Sequence, residues 1–293
     1  MQHIFSVDVE DWYNGFPPGY SVAAHPASRI NYGMNFLLDI LDEFGVKATF
    51  FWIGKQAKTY PILLRDTAAR GHEIGCHSYD HTSIYLQSTC EFETDTKTAI
   101  DIISDIIGNN IHCYRAPYFS IRKDTYWALE ILASLGITHD SSILPMRHWR
   151  TGMKDATDSV HTIETSGTTI IEAPITVRHF AGLKIPISGG GYFRAYPYWL
   201  TDRNFAHCEA ENKPAVFYIH PWELDTDHPR INRHGIAESM HYIGIHSARL
   251  KLIRLLQDYS FGPLMKTADV LQHYENPFLA DRKIFAPAIL NTP

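Results

Sequence analysis

The stretch "ATFFWIGKQAKTYPILLRDTAARGHEIGCH" occupies residues 48–77. It opens on an apolar run, "ATFFWI" (48–53), and closes on a second one, "EIGCH" (73–77). Between them lies a helical pattern, "PILLRDTAARG" (61–71). Short apolar runs bounded by turn residues read as strands. Pro61 suits the first helical turn, where its missing N–H has no partner to lose, and Gly71 suits the residue just past the last turn. Strand, helix, strand in immediate succession is a β-α-β unit, and its two strands must run parallel. Reading outward, the rhythm repeats. Further strands are expected at Ile4–Val9, 111–115, 169–173 and 215–220, and further helices at 29–45, 92–108, 125–136 and 247–259. Gly45, Gly108 and Gly136 end three of those helices. The order predicts an α/β fold with a largely parallel sheet, long enough for a β/α barrel or a doubly wound sheet. Residues 141–195 have weak periodicity and read as irregular insertions around a site. One domain is therefore expected over 1–293, with a motif-bearing core at about 4–222 and a helical completion at 223–293.

Composition narrows the function classes. The net charge of −6 and the lack of any dense Lys/Arg run argue against a nucleic-acid partner. The four cysteines are scattered with no Cys-x-x-Cys pair, which excludes a disulfide framework and a structural zinc site. Cys76 and Cys113 read as buried thiols. No window approaches ~18 uninterrupted apolar residues, so no membrane span is expected. The opening "MQHIFSVDVEDW" reads as a first strand rather than a signal peptide, and the expected compartment is the cytoplasm.

Within that opening, "FSVDVEDW" (5–12) sets Asp8, Glu10 and Asp11 at the end of an apolar run. Burying unpaired carboxylates costs several kcal/mol, so a cation, a proton or hydrogen bonds must stand beside them. Four other constellations sit at expected strand ends. "HSYDH" (77–81) offers two imidazoles four residues apart; with a carboxylate from another strand they fit a His₂-carboxylate catalytic metal site. "YRAPYFS" (114–120) carries Arg115 on a rigid turn, either as a loop-holding ion pair or as the group that orients a carboxylate base while backbone N–H groups face an oxyanion. "FYIHPWEL" (217–224) presents His220, a structural histidine or, in this company, a general acid. "THDSSI" (138–143) offers Asp140, a cap or a partner that fixes Arg115 or His220. "SGGGYFR" (188–194) lacks the ending of a phosphate loop and reads as a close-approach loop lining a site. Trp12, Tyr118, Trp149, Tyr192 and Trp222 are candidate sugar-stacking platforms, though most read more readily as core or wall.

Together these motifs resemble the polysaccharide deacetylase family, also called the NodB-homology domain or carbohydrate esterase family 4. "SVDVED", "HSYDH", "RAPY" and "YIHP" are similar to four family motifs in their family order, and "ATFFWIG" resembles the second strand. "DVEDW", "SGGGYFR" and "HPWELD" resemble a subset linked to bacterial exopolysaccharide and O-antigen gene clusters. Two departures stand out: the first motif is Asp-Val-Glu-Asp rather than adjacent aspartates, and Ser-Ser-Ile follows Asp140 where an aromatic is usual. The resemblance implies a distorted (β/α)₇ barrel and metal-dependent removal of an N-acetyl group from an acetamido sugar in surface polysaccharide biosynthesis. It implies Zn²⁺ or another divalent transition metal on His77, His81 and one acid, Asp8 as base held by Arg115, and the Tyr118 backbone N–H at the oxyanion. His220 then serves as acid, Asp140 as a supporting catalytic residue, and Trp12, Pro117, Tyr192 and Trp222 line the sugar. Strand alternation puts Asp8 and Glu10 on one side and Asp11 on the other, which favours Glu10 as the metal ligand; Asp11 is the alternative if the strand ends at Asp8. The competing readings are a cyclic amide or ureide hydrolase on the same fold and a non-catalytic sugar-binding relative.

Overall fold

The computed structural model describes residues 1–16, 27–148, 151–231 and 236–273; Trp149 and the end of the expected helical completion lie outside them. The strands are β1 (Gln2–Val9), β2 (Thr49–Trp52), β3 (Glu73–Cys76), β4 (Cys113–Tyr114), β5 (His139–Asp140), β6 (His161–Glu164), β7 (Thr169–Glu172), β8 (Val177–Phe180), β9 (Leu183–Pro186), β10 (Val216–Ile219) and β11 (Ser260–Gly262). Seven run parallel in the order β10-β1-β2-β3-β4-β5-β7, with β6 antiparallel on the outer edge of β7. This is a distorted (β/α)₇ barrel. Between β7 and β10 the wall is closed by side chains: the Val216 N–H donates to Thr176 Oγ1 at 2.6 Å, and Ser188 Oγ donates to the Val216 carbonyl at 2.5 Å.

Both faces of the seven parallel strands are largely buried, as parallel barrels require. Along β1, Phe5, Val7 and Val9 pack toward the helices, while Ile4 joins an interior cluster with Phe51, Cys113, Ile171 and Val216. Alternation therefore turns Asp8 inward at the C-terminal end of the strand, where β/α barrels place their chemistry.

The helices form for readable reasons. In α1 (Ile30–Glu43), Ile30, Met34, Leu37, Leu38 and Leu41 fall on one buried stripe. Gly33 of that helix lies against the Pro221 carbonyl, where a Cβ would collide. Two short helices, α2 (Gly54–Thr59) and α3 (Pro61–Ala69), link β2 to β3. A capping box starts α4 (Thr89–Ile107): the Glu91 N–H donates to Ser88 Oγ and the Ser88 N–H donates back to Glu91. After α5 (Ala128–Ser134) the expected irregular region 141–195 instead contains the β6–β7 pair, the β8–β9 hairpin and α6 (Gly190–Ala195). "SGGGYFR" thus enters a helix rather than remaining a loop. Its close-approach character holds, because Gly189 (φ 87°) leaves no room for a Cβ beside Tyr218. The chain closes with α7 (Tyr198–Ala210), α8 (Ile236–Tyr242), α9 (Ile245–Asp258) and α10 (Leu264–His273). No helix among the described residues is long and apolar enough to cross a membrane.

Candidate active site

β1 stops at Val9, and the Glu10 N–H turns back to donate to the Asp8 carbonyl at 2.8 Å. That turn keeps Asp8 and Glu10 at the barrel mouth. Asp11 goes elsewhere: its carboxylate accepts the N–H groups of Trp12 (2.9 Å) and Arg29 (3.1 Å) and fixes the entry to α1. Glu10, rather than Asp11, shares the mouth with the two imidazoles.

Glu10 Oε1 lies 2.9 Å from His81 Nε2 and 3.4 Å from His77 Nε2, and all three residues are buried. Each can supply one ligand atom, and the three atoms lie within 4.8 Å of one another. The Arg115 carbonyl sits 2.7 Å from His77 Nδ1 and can only accept, so Nδ1 carries the proton and the Nε2 lone pair faces Glu10. His81 Nε2 is buried and, despite its closeness to Glu10, lacks hydrogen-bond geometry to any partner. An orphaned imidazole nitrogen aimed at a carboxylate and a second imidazole fits a divalent transition metal with an open position. Backbone strain sharpens the aim: His81 (φ 56°) and Tyr118 (φ 56°) hold left-handed conformations that cost about 1 kcal/mol each in a non-glycine residue. Their rings are in contact at 4.6 Å.

Asp8 and His220 flank this cluster. Asp8 Oδ1 accepts from the fully buried Arg115 at 2.7 Å, and Oδ2 lies 3.8 Å from His220 Nε2. Arg115 also donates to the Ser141 carbonyl (3.0 Å) and hydroxyl (2.8 Å), with Phe51 4.4 Å beneath its guanidinium. The Ala116 N–H donates to Ser142 Oγ. Ser141 and Ser142 therefore hold the Arg115 turn. On the opposite edge, His220 Nδ1 meets Glu223 Oε2 at 2.9 Å. Burial acts to lower His220, yet the carboxylates of Glu10, Glu223 and Asp8 push it up to about 9. Burial likewise acts to raise Glu223, and Arg194 with His220 overcomes it and holds Glu223 at about 2.

Three expectations need correction. Asp140 makes no hydrogen bond to Arg115 or His220; it reaches the Arg115 turn only through Ser142, which donates to Asp140 and accepts from the Ala116 N–H. It follows the register Tyr114↔Asp140↔Glu172 and so shares Tyr114's helix-facing side of the sheet. There it accepts from Ser142 Oγ and confronts Glu172; burial pushes Asp140 up to about 6 and Glu172 well above its ordinary value. Trp12 and Trp222 are not open stacking platforms. They are 4% and 5% exposed, Trp12 donates to the Ala27 carbonyl, and Trp222 stacks on His220 at 5.5 Å and on His241 at 4.2 Å. Pro117 is buried at the start of the Arg115 turn, and Tyr192 is half-buried on α6 with its ring 6.2 Å from Tyr196. A cavity of about 220 Å³ adjoins His81 and is also lined by Tyr13, Asn14, Lys55, Gln56 and Tyr60. Glu223, Arg194 and the Ser141–Ser142 pair were missed as site residues. The signal for Glu223 was present as an acid three residues after His220, the spacing of a capping box.

Two family models match, one described as Polysaccharide deacetylase over residues 31–139 and one as a Domain of unknown function (DUF3473) over residues 141–269. His77, His81 and Arg115 fall in the former and Arg194, His220 and Glu223 in the latter, while Asp8 and Glu10 precede both. Over 85 residues, 29% of this chain and 31% of the relative, the chain is 36% identical to a peptidoglycan-N-acetylglucosamine deacetylase of Bacillus cereus. Over 95 residues, 32% of this chain and 42% of the relative, it is 35% identical to a chitooligosaccharide deacetylase of Azorhizobium caulinodans. The match spans well under half the length of either relative. A solved structure from Mycobacterium smegmatis, named for the polysaccharide deacetylases, superimposes with a TM-score of 0.61 at 20% identity, covering 88% of this chain and 82% of that one. That likeness is one of fold.

Proposed function

Because residues 31–139 match the polysaccharide deacetylase family model, we propose that this chain is a metal-dependent hydrolase that removes the N-acetyl group from an acetamido sugar. The observation that carries the reading is the convergence of Glu10, His77 and His81 between Asp8 and His220. Glu10, His77 and His81 would hold a divalent transition metal, and two imidazoles with a carboxylate are a donor set that catalytic zinc accepts. When bound, it supplies the positive charge that polarises a carbonyl oxygen and makes water a better nucleophile. Asp8, its direction fixed by Arg115, takes the proton from the attacking water through Oδ2. The Tyr118 backbone N–H faces the oxyanion that develops on the acetyl group. His220 Nε2 gives a proton to the departing amine, without which an amide nitrogen is a poor leaving group. The sugar lies in the cavity beside His81, whose tyrosines, amides and lysine suit hydroxyl groups. Residues before and after Asp140 act as one catalytic unit, since each half supplies part of the site. The likeness of "DVEDW" and "HPWELD" to a gene-cluster subset further supports a role in exopolysaccharide or O-antigen biosynthesis.

The test is elemental analysis of the purified chain together with acetate release from N-acetylated chito-oligomers, nucleotide sugars and peptidoglycan fragments. About one zinc per chain and acetate release that stops on chelation are expected. Full activity in the metal-free protein would overturn the reading. So would stoichiometric metal with acetate release from none of the sugars and turnover of a cyclic ureide.

A further inference from the structure

Glu223 and Arg194 lie behind His220, in the region matched only by a domain of unknown function. Glu223 Oε2 accepts two bonds from His220, one from the backbone N–H at 2.9 Å and one from Nδ1 at 2.9 Å. Glu223 Oε1 accepts from Arg194 Nε at 2.5 Å. Neither side chain is more than 3% exposed. The remaining Arg194 donors reach backbone carbonyls, His241 at 2.8 Å, Ile243 at 2.6 Å and Met240 at 3.3 Å. The guanidinium is thus tied to the scaffold and not to any reacting group. One face of the His220 ring packs on Trp222, which is itself backed by His241 at 4.2 Å and 9° between planes. One edge of the imidazole is tethered and one face is packed. The edge left open carries Nε2, 3.8 Å from both Asp8 Oδ2 and Glu10 Oε1.

We propose that Glu223, anchored by Arg194, is the positioning residue of His220: it holds the Nδ1 proton so that only the Nε2 proton can be passed on. Asp140, on the helix side of the sheet, has no part in this. A buried carboxylate and a buried guanidinium are costly to keep dry and seldom better for stability than apolar residues of the same size. Their retention behind a reactive histidine is accounted for by orientation. The chemistry rests on the deacetylase reading above. The C–N bond of the substrate breaks, its electron pair goes to nitrogen, and that nitrogen takes the proton from Nε2. The Nε2–H bonding pair stays on the ring, which ends neutral with its Nδ1–H still on Glu223. The placement itself does not depend on that reading.

The rival is a purely structural Glu223 that caps the turn Pro221–Leu224. The experiment uses Glu223→Gln, with Glu223→Asp as a second variant, in the full chain loaded with zinc. On an N-acetylated chito-oligomer kcat should fall about 10²-fold, the lower range for a general acid, with KM and zinc content within about twofold. On 4-nitrophenyl acetate, whose leaving group needs no proton, the loss should stay below about threefold. In a His220→Ala background, Glu223→Gln should add less than about twofold. Equal losses on both substrates, or losses that multiply with His220→Ala, overturn the proposal. Imidazole ¹⁵N–¹H spectra decide the placement without turnover. Wild type should show an exchange-protected Nδ1–H of His220 that vanishes in Glu223→Ala, which leaves no acceptor at that edge of the ring. A wild type without that proton, or a Glu223→Ala variant that keeps it, refutes the positioning. Absence of all hydrolysis by wild type would instead sink the deacetylase reading and leave the spectra to judge Glu223.

Discussion

Replacing Arg115 by methionine removes a buried charge while roughly conserving volume. The guanidinium is wholly buried, and Asp8 is 2% exposed. Arg115→Met therefore strands a carboxylate with its Oδ1 unpaired, and it removes the donors to the Ser141 carbonyl and hydroxyl. Breaking a buried pair from one side costs about 3–5 kcal/mol, a large share of the ~5–15 kcal/mol that holds a domain folded. Asp8→Asn keeps an acceptor for Arg115 and should cost about 1–2 kcal/mol. The double variant leaves no stranded charge, so its loss should fall short of the sum by about 2–3 kcal/mol. Urea unfolding of all four proteins, metal-free and zinc-loaded, measures this through the midpoint at constant m-value. Additivity within about 0.5 kcal/mol, or an Arg115→Met cost below about 1 kcal/mol, would mean that Asp8 does not depend on Arg115 for its place in the site.

Glu10→Gln should lose metal by elemental analysis, whereas Asp11→Asn should keep it and lose stability instead, because Asp11 holds the N–H groups of Trp12 and Arg29. Metal loss in the Asp11 variant alone would reverse the ligand assignment. Acid should destabilise the fold through buried neutral histidines: burial first, aided by nearby cations, holds His3 at about 4, His72 at about 4 and His241 at about 3. Each is depressed below its unfolded value, so its contribution is whole above about pH 6.5. It drains away as pH falls to the folded value, by ~1.4 kcal/mol for each pH unit crossed. A urea midpoint that stays flat from pH 7 to 4 would refute this. Asp140→Asn should leave kcat within about threefold. It should also gain stability over wild type as pH rises from 4 through 6, since the folded Asp140 carboxyl, lifted to about 6 by burial, binds its proton more tightly than the unfolded one. A hundredfold loss of kcat would return Asp140 to the chemistry.

What was legible in the sequence follows the range of the forces involved. The strands at 48–53, 73–77 and 215–220 could be read because both faces of a parallel strand are apolar, so the pattern is local. β4 fell within the strand expected at 111–115, whereas β5, only two residues long, was seen only as a strand-end acid. The hairpin β8–β9 was missed because its strands alternate poorly and its turn is Ala181–Gly182. Asp8, Glu10, His77, His81, Arg115 and His220, which the structure brings together, could be singled out because strand ends announce them. Asp140 was misjudged because a two-residue strand gives no parity from which to tell inward from outward. Arg194 was overlooked because its partner, Glu223, is distant in sequence, and nothing local marks a buried arginine.

β1 is paired on both sides by segments from far along the chain: Ile4 matches Val216 of β10 and also Gly262 of β11, while β2 takes residues 6–9. During synthesis at ~5–20 residues per second, about 10–40 s therefore separate the appearance of Ile4 from that of Val216. For that interval an apolar strand bearing Asp8 has one edge open, and open apolar edges invite pairing with other chains. Such distant pairing also slows folding, since loop-closure entropy must be overcome before the contacts form. The same delay keeps His220 apart from Asp8 until the barrel is nearly complete.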